Sequence, residues 1–356
     1  MTVKRRRTRK IRVGSIYIGG SAPVSIQSMA KTDTRDVVST VAEIRKMIQA
    51  GCEIVRVAVK DEEAALSLAD IKKGIKIPLV ADIHFSPKLA ILALESGADK
   101  IRINPGNMRD KKGLVKVVKL AGKRKIPVRI GLNSGSVPRG EDMLTLARKT
   151  IKLFERNNFY DIIISLKGSD VIETVAAYRK IAALCKYPLH LGVTATGLPE
   201  SGIVKSSIAI GALLLDGIGD TIRISLTADP AEEIRAARAL LSALGLRNFG
   251  PDVISCPTCG RCQVDLARIV RELAKKLNGP RSTVHGPQPM TIAVMGCEVN
   301  GPGEARAADI GIAAGKGCGV LFKKGKIVKR IKEKDFVKTL VKEIETVKGA
   351  RHFPQV

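Results

Sequence analysis

The sequence has no tryptophan, and aromatic residues make up only 3% of its 356 residues. Proteins that bind unpaired nucleic acid stack the bases on aromatic side chains set among cations, and no run of that kind occurs here. The chain is nevertheless strongly basic, with 61 Lys and Arg against 34 Asp and Glu and a formal net charge of +27. The KRRRTRK segment is therefore interpreted as a solvated charge run, and the overall field suits a phosphorylated substrate or an acidic protein partner.

Long apolar runs are also missing. No stretch of 18 or more apolar residues occurs, and the charged start MTVKRRRTRKIRVG is not followed by an apolar segment. These features predict neither a membrane span nor a secretory signal, so a cytoplasmic location is expected. Seven cysteines in such a chain fit a reducing compartment, where thiols stay free to bind metal.

Eight apolar runs recur at a spacing of roughly 25 residues, the length of one strand plus one helix. A helical segment follows each run. A Gly-rich nucleotide fingerprint after the first strand is missing, which disfavours a doubly wound sheet. The pattern predicts a (β/α)8 TIM barrel with its site at the carboxyl ends of the strands. The runs are PVSIQSMA (23–30), EIVRVAV (53–59), PLVADIHF (78–85), KIRINPG (100–106), PVRIGLNSG (127–135), DIIISLKGS (161–169), PLHLGVTATG (188–197) and TIRISL (221–226).

The pattern changes around LRNFGPD, where we place a domain boundary. Residues 1–247 are predicted to form the substrate-binding barrel, in which 1–22 form an N-terminal hairpin that closes the bottom. Residues 248–356 are predicted to form a smaller α/β domain. Its cysteines fall on turns, which makes this domain the expected carrier of a metal centre.

Polar residues gather where the predicted strands end. Several cations directed into one barrel mouth would form a phosphate pocket, because guanidinium groups match pairs of phosphate oxygens. A bridge to a neighbouring acid is the alternative for any single arginine. An isolated strand histidine is more often structural than catalytic. The residues are Arg56, Asp82, His84, Arg102, Asn104, Arg129, Asn133, Lys167, His190 and Ser225.

The last third of the chain holds a split cysteine set. Cys256, Cys259 and Cys262 lie in SCPTCGRCQ, and Cys297 lies in MGCEVNGPGEA, seven residues before Glu304. A zinc ribbon usually uses two CxxC pairs, whereas an iron–sulfur cluster tolerates this uneven split. Spacing alone leaves three alternatives open: an iron–sulfur cluster, a zinc site, or redox-active or buried thiols.

Together these motifs resemble a known family. SCPTCGR with MGCEVNGPGEA, and also QSMA, VADIHF, RINPGN, RIGLNSGS and GIGDTIRISL, are similar to motifs of the 4-hydroxy-3-methylbut-2-enyl diphosphate synthases of the methylerythritol phosphate route to isoprenoids. The resemblance covers the whole chain in order, and the combination is far more specific than a single CxxC.

The resemblance implies a two-domain enzyme with a 4Fe-4S cluster. It implies reductive ring opening and dehydroxylation of 2-C-methyl-D-erythritol 2,4-cyclodiphosphate to 4-hydroxy-3-methylbut-2-enyl diphosphate, with a cluster iron binding the substrate oxygen. Cys262 is not among the implied ligands, which are Cys256, Cys259, Cys297 and Glu304. Implied substrate contacts are Arg56, Arg102, Arg129, Asn133, Lys167 and Ser225, to which the strand-end residues Asp82, His84 and Asn104 are added as candidates.

The partners follow from the resemblance as well. Flavodoxin or ferredoxin, both acidic, would supply the electrons one at a time, and the basic surface suits either carrier. The family closes its site between subunits of a head-to-tail homodimer, so a homodimer and domain motion are expected. Neither nucleic acid nor a membrane is an expected partner.

One position departs from the family. HLGVTEAG is its usual motif, with a glutamate that supplies or relays a proton, whereas this chain has HLGVTATG with Ala195 at that place. Either Glu200 in the following GLPES takes its place, or the proton comes by water or another group, or activity is reduced. We hypothesise that Glu200 substitutes for it as a catalytic acid. Two alternatives remain: a cluster-binding family member with impaired or altered activity, and a zinc-ribbon nucleic-acid-binding protein. Zinc without sulfide and salt-resistant nucleic acid binding would favour the latter.

Overall fold

The computed structural model describes residues 3–108, 110–194, 196–277, 290–297 and 308–350. The chain divides into two compact units, Met1–Arg247 and Asn248–Val356. None of the helices in the described ranges combines the length and the apolar character that a membrane crossing requires.

The first unit contains a short hairpin and then eight strands that each precede a helix. The elements are β1 Ile11–Val13, β2 Ile16–Ile18, β3 Ser25–Met29, α1 Val37–Ala50, β4 Ile54–Ala58, α2 Glu62–Gly74, β5 Leu79–Ile83, α3 Pro87–Glu95, β6 Lys100–Ile103, α4 Lys111–Arg124, β7 Val128–Asn133, α5 Met143–Glu155, β8 Ile162–Lys167, α6 Val171–Leu184, β9 His190–Leu191, α7 Pro199–Leu215, β10 Thr221–Ile222 and α8 Pro230–Ala243. Each of the eight predicted runs contains one of the strands β3 to β10.

Strands β3 to β10 form one parallel sheet in the order β8-β7-β6-β5-β4-β3-β10-β9. A parallel bridge between Ile164 and Leu189 joins β8 to the residue before β9, and the Ile164 amide donates to the Pro188 carbonyl at 3.0 Å. These contacts bring the two ends of the sheet together. The predicted (β/α)8 barrel is therefore confirmed.

Local sequence explains why the barrel helices begin where they do. Six of the eight are preceded by an aspartate whose side chain accepts a hydrogen bond from a backbone N–H of the first turn. Such caps satisfy donors that have no partner inside the helix. The capping residues are Asp36, Asp61, Asp110, Asp142, Asp170 and Asp229.

The N-terminal hairpin packs against the start of the barrel strands. Strands β1 and β2 pair antiparallel, and Ile11, Val13 and Ile18 form a buried cluster with Ile54, Val80 and Ile163. The last three lie near the amino ends of β4, β5 and β8. The hairpin therefore covers the end of the barrel opposite the carboxyl ends of the strands.

Within the described residues, the second unit is a five-stranded sheet with two helices. Its elements are β11 Asp252–Ser255, α9 Leu266–Leu277, β12 Thr291–Met295, β13 Ile310–Gly315, β14 Cys318–Lys323, β15 Lys326–Lys332 and α10 Phe336–Ala350. Strands β11, β12 and β13 are parallel, and β14 and β15 continue the sheet antiparallel. Leu273, Ile312, Phe336 and Leu340 belong to its buried core. Strand β11 was not predicted from the sequence, because it is short and adjoins the proline of the predicted boundary.

Candidate active site

A cavity of about 340 Å³ opens at the carboxyl ends of the barrel strands. Its volume falls in the range of about 300–1,000 Å³ that small-molecule sites occupy. Five cationic side chains but a single carboxylate line it, so the cavity is suited to an anion. The lining residues are Met29, Arg56, Asp82, His84, Arg102, Arg129, Asn133, Ser165, Lys167, Thr194, Arg223 and Ser225.

Strand register brings the charged residues to one level of the barrel. Asp82 lies opposite Arg102, and Arg102 lies opposite Arg129, on three neighbouring parallel strands. Nearer the strand ends, Asn133 lies opposite Lys167. Because residues in register point to the same face of a sheet, these side chains are directed together into the barrel.

Asp82 is the carboxylate at the centre of the cluster. One oxygen accepts a hydrogen bond from Arg102 Nη1 at 3.0 Å, and the other lies 3.6 Å from both Arg56 Nη1 and His84 Nε2. Burial alone would raise the pKa of Asp82, but Arg56, the His84 hydrogen bond and Arg102 hold it well below its ordinary value. Asp82 therefore stays ionised and orients its neighbours, and it is a poor proton donor.

Arg129 and Lys167 are buried cations that form no ion pair among the described residues, although Asp82 acts from a distance to raise the pKa of Arg129. Arg129 is 1% exposed, and its Nε and Nη1 have no hydrogen-bond partner among the described residues. Burial and the nearby Arg56 lower the pKa of Arg129, and burial and the nearby Arg223 lower that of Lys167. A buried charge without a counter-charge is unfavourable. A bound anion would therefore stabilise these two cations.

The structure places most of the predicted substrate contacts in this cavity. Besides His190, two predicted site residues of the barrel lie outside the lining set. Asn104 is buried, and its Oδ1 accepts from Gly106 N at 3.1 Å and Ser136 Oγ at 3.3 Å, so it joins two loops. Glu200 is exposed on the first turn of α7. The predicted residues that line the cavity are Arg56, Asp82, His84, Arg102, Arg129, Asn133, Lys167 and Ser225.

Four lining residues were not singled out from the sequence: Met29, Ser165, Thr194 and Arg223. Arg223 matters most, since it is cationic and its Nη2 lies 3.7 Å from the buried Glu233. Glu233 also accepts from Ser28 Oγ at 2.7 Å and from Leu226 N at 3.0 Å. The period-2 alternation of a strand would have revealed Arg223, because it precedes Ser225 by two residues.

His190 and Lys100 belong to the barrel interior and do not line the cavity. Lys100 Nζ donates to Gln27 Oε1 at 3.2 Å, and neither ring nitrogen of His190 has a hydrogen-bond partner in the described part of the chain. Burial and the nearby Arg129 lower the pKa of both groups. His190 and Lys100 therefore add no acid that could offset the cations of the cavity.

A larger cavity of about 830 Å³ lies beside helices α4 and α5. Its walls include Met108, Leu114, Val137, Leu146 and Leu153, and none of its charged lining residues is buried. It lacks the cluster of buried charged groups that marks the barrel cavity. We assign the active site to the smaller cavity for that reason.

In the second unit, two cysteine-bearing loops leave the same edge of the sheet. Cys256 follows β11, and Cys297 lies two residues after β12, the parallel neighbour of β11. The Gly296 amide donates to Cys256 Sγ at 3.3 Å, and a Cβ on Gly296 would lie 2.5 Å from Cys262 Sγ. Glycine is thus required where the second loop passes the first.

These loops fit an iron–sulfur ligand set. Cys297 is buried, Cys259 is exposed, and the turn between Cys256 and Cys259 bends at Thr258, whose φ is 63°. An N–H group aimed at a cysteine sulfur is a typical means of tuning such clusters. Glu304 lies outside the described residues, and within them no three ligating side chains are assembled as a metal site.

Two family models match the chain. The GcpE TIM-barrel domain matches residues 8–238, and the GcpE protein C-terminal domain matches residues 252–346. Together they cover both units of the structure.

Curated relatives match over nearly the full length. A protein of Caldanaerobacter subterraneus subsp. tengcongensis named 4-hydroxy-3-methylbut-2-en-1-yl diphosphate synthase (flavodoxin) is 51% identical, across 97% of this chain and 98% of the relative. A protein of the same name from Thermodesulfovibrio yellowstonii is 50% identical, across 96% and 99%. A solved dihydropteroate synthase from Stenotrophomonas maltophilia has a TM-score of 0.50 at 13% identity, covers 66% of this chain and 98% of its own, and supports the barrel fold alone.

Proposed function

Since the chain belongs to the GcpE family, we propose that it catalyses the reductive ring opening of 2-C-methyl-D-erythritol 2,4-cyclodiphosphate to 4-hydroxy-3-methylbut-2-enyl diphosphate. It is an oxidoreductase of isoprenoid biosynthesis. The observation that best supports this assignment is the barrel cavity, where Arg56, Arg102, Arg129, Lys167 and Arg223 face a single carboxylate. Such a cavity matches a diphosphate and would bind a neutral or cationic substrate less well.

The cations act on the charge that develops during the reaction. Opening the cyclic diphosphate releases a further ionisable phosphate oxygen, so the product is more negative than the substrate. Donors fixed in advance stabilise such charge without reorganisation. Arg102 is fixed in this way, because it donates to Asp82 and, through Nη2, to the Gly131 carbonyl at 3.0 Å. Asn133 and Ser225 would add neutral hydrogen bonds that orient the substrate.

Because of the buried Lys167, we predict that the protein takes up a proton when it binds a diphosphate. The pKa of Lys167 lies well below the ordinary value because of burial and the neighbouring Arg223, and a bound diphosphate would raise it again. A proton is then taken up at any pH between the free and the bound pKa. Calorimetric titration with the product at several pH values below the ordinary pKa of lysine, in buffers of different ionisation enthalpy, is expected to show this uptake. Lys167→Met is expected to reduce it, and equal uptake in both proteins would contradict the assignment.

For the cofactor, we propose a 4Fe-4S cluster held by Cys256, Cys259, Cys297 and Glu304. The approach of the Cys256 and Cys297 loops, with the Gly296 amide directed at sulfur, supports this ligand set. When bound, the cluster supplies the electrons that the ring opening requires, one at a time. The protein's own part is to present the thiolates from two loops, so that the site forms only in the folded unit.

Glu200 is the proposed acid in place of the family's glutamate. It lies on the first turn of α7 and therefore at the carboxyl face of the barrel, next to the segment that contains Ala195. Asp82 is unsuited to this role because its pKa is depressed. A Glu200→Gln variant is expected to lose roughly 10²-fold in kcat with little change in KM. Glu232→Gln, on the first turn of α8, is the matched control, and a parental rate in Glu200→Gln would refute the role.

The proposal includes partners and a location. Flavodoxin or ferredoxin would donate the electrons, and the term flavodoxin in the names of the relatives supports the first. A homodimer and a cytoplasmic location are further parts of the proposal. The basic composition and the absence of a membrane-crossing helix in the described ranges are compatible with them.

An anaerobic assay tests the function. The protein is loaded with iron and sulfide, reduced with dithionite and a viologen mediator, and incubated with the cyclic diphosphate. Phosphorus NMR is expected to show the cyclic signals replaced by those of a linear diphosphate. A protein that holds iron and sulfide but leaves the substrate unchanged would refute the proposal and favour the altered family member.

A further inference from the structure

The edge of the second unit that carries the cysteine loops also carries a group of exposed cations. Strands β11, β12 and β13 are parallel, so their carboxyl ends lie at one edge of the sheet. The antiparallel register places Gly315 opposite Cys318 and Cys318 opposite Lys332. The turn between β13 and β14 and the end of β15 therefore belong to that edge.

Four cations, which we call the basic edge, project there: Lys316, Lys332, Lys334 and Arg268. The last three border a shallow cavity of about 390 Å³, together with Gly317 and Glu333. All four are exposed, and within the described ranges the three lysines form no ion pair. The Glu333 amide donates to the Gly317 carbonyl at 3.2 Å, which connects Glu333 to the turn between β13 and β14.

Protection of a sheet edge does not explain this arrangement. Lysines on an edge strand discourage pairing with other strands, and Lys326, Lys329 and Arg330 on the exposed strand β15 fit that role. Lys316 lies on a turn, however, and Arg268 lies on α9. Neither can block strand pairing along β15. Arg268 lies 3.9, 3.7 and 3.8 Å from Asp265, Glu272 and Glu333, but the lysines of the basic edge form no ion pair within the described ranges, and edge protection does not account for Lys316.

The position of the basic edge relative to the cysteine loops suggests what these cations do. Cys297 follows β12, which is one strand from β13 and three strands from β15. At about 4.8 Å between neighbouring strands, the end of β15 lies roughly 15 Å from the Cys297 loop and roughly 20 Å from the Cys256 loop, which follows β11. A protein docked on these cations would therefore bring its own redox group close to the proposed cluster.

We propose that the basic edge docks a small acidic electron-carrier protein, an inference that rests on the proposed function. Opposite charges steer such a pair together and raise the association rate, while salt screens the attraction. Transient redox encounters need only a small interface. A surface of a few exposed cations around a shallow depression is sufficient for this type of contact.

Charge reversal tests the docking. The variant Lys316→Glu/Lys332→Glu/Lys334→Glu is compared with Lys116→Glu/Lys119→Glu/Lys123→Glu, which makes the same change of net charge on exposed positions of α4. Flavodoxin is titrated into each loaded protein at several ionic strengths. At low salt, the Kd of the edge variant is expected to rise at least about tenfold and the salt dependence to weaken, whereas the α4 variant changes much less.

Turnover measurements distinguish a failure of the docking site from a failure of the proposed function. With dithionite and a viologen mediator both variants are expected to match the parent, and only flavodoxin-driven turnover falls in the edge variant. Equal weakening of flavodoxin binding in both variants, or none in either, would overturn the docking site. It would also be overturned if the edge variant lost affinity for a nucleic acid fragment and kept its affinity for flavodoxin. Failure of the parent protein in the dithionite assay refutes the function instead, and the binding titration still decides the docking.

Discussion

An Arg129→Met variant is expected to lose roughly 10²- to 10³-fold in kcat/KM while the free energy of unfolding of its barrel rises. The two effects have one cause. Arg129 is buried, its Nε and Nη1 lack partners among the described residues, and burial with the nearby Arg56 depresses its pKa. Burial of this cation destabilises the free protein, and a bound diphosphate would offset that destabilisation. Methionine fills similar space without the charge.

Urea unfolding followed by tyrosine fluorescence measures the stability part of this prediction. The sequence has 4 tyrosines and no tryptophan, and all the tyrosines lie in the first unit, so the signal reports on the barrel. Arg235→Met, at an exposed position of α8, is the control and is expected to stay within about 0.5 kcal/mol of the parent. An Arg129→Met variant with lower stability and unchanged kcat/KM would contradict the assignment.

A Cys297→Ser variant is expected to lose the cluster and with it all turnover. Cys297 is buried on the loop after β12, beside the Gly296 amide that donates to Cys256. A serine hydroxyl stays protonated and is a poor ligand for iron, so removal of one thiolate should prevent stable loading. Iron and sulfide analysis, with the visible absorption of the anaerobic protein, measures the loss independently of activity.

Cys262→Ser is the matched control. The Cys262 thiol donates to the Val264 carbonyl at 3.3 Å, a contact that a serine hydroxyl can retain. This variant is expected to keep iron, sulfide and turnover near the parental level. The proposed ligand set would be wrong if Cys262→Ser lost the cluster and Cys297→Ser kept it.

The barrel was predictable because apolar runs and helix starts repeat along the chain. The active-site cations were predictable for a related reason: Arg56, Arg102 and Arg129 each lie within a strand of known direction, so their common face follows from period-2 alternation. Spacing alone left the metal open, and the family resemblance supplied the proposed ligands. That resemblance is confirmed by the family models and by the relatives.

Other features depend on contacts that a sequence does not display. Asn104 directly follows the strand that contains the cavity residue Arg102, yet its side chain joins two loops. Glu200 lies exposed on the first turn of α7 and outside the cavity lining, which the sequence does not show. The pairing of Asp82 with Arg102 depends on the register between strands, which barrel closure fixes. Such long-range geometry requires coordinates.

Electron paramagnetic resonance of the dithionite-reduced, anaerobically purified protein tests the central claim most directly, with iron and sulfide analysis of the same sample. We predict a cluster signal that changes when the cyclic diphosphate is added to the parent, and that changes much less in Arg129→Met at the same concentration. This result would link the cation cavity to the redox centre in one reaction. Zinc without sulfide in protein never exposed to air, or a cluster signal that saturating cyclic diphosphate leaves unchanged, would contradict the account.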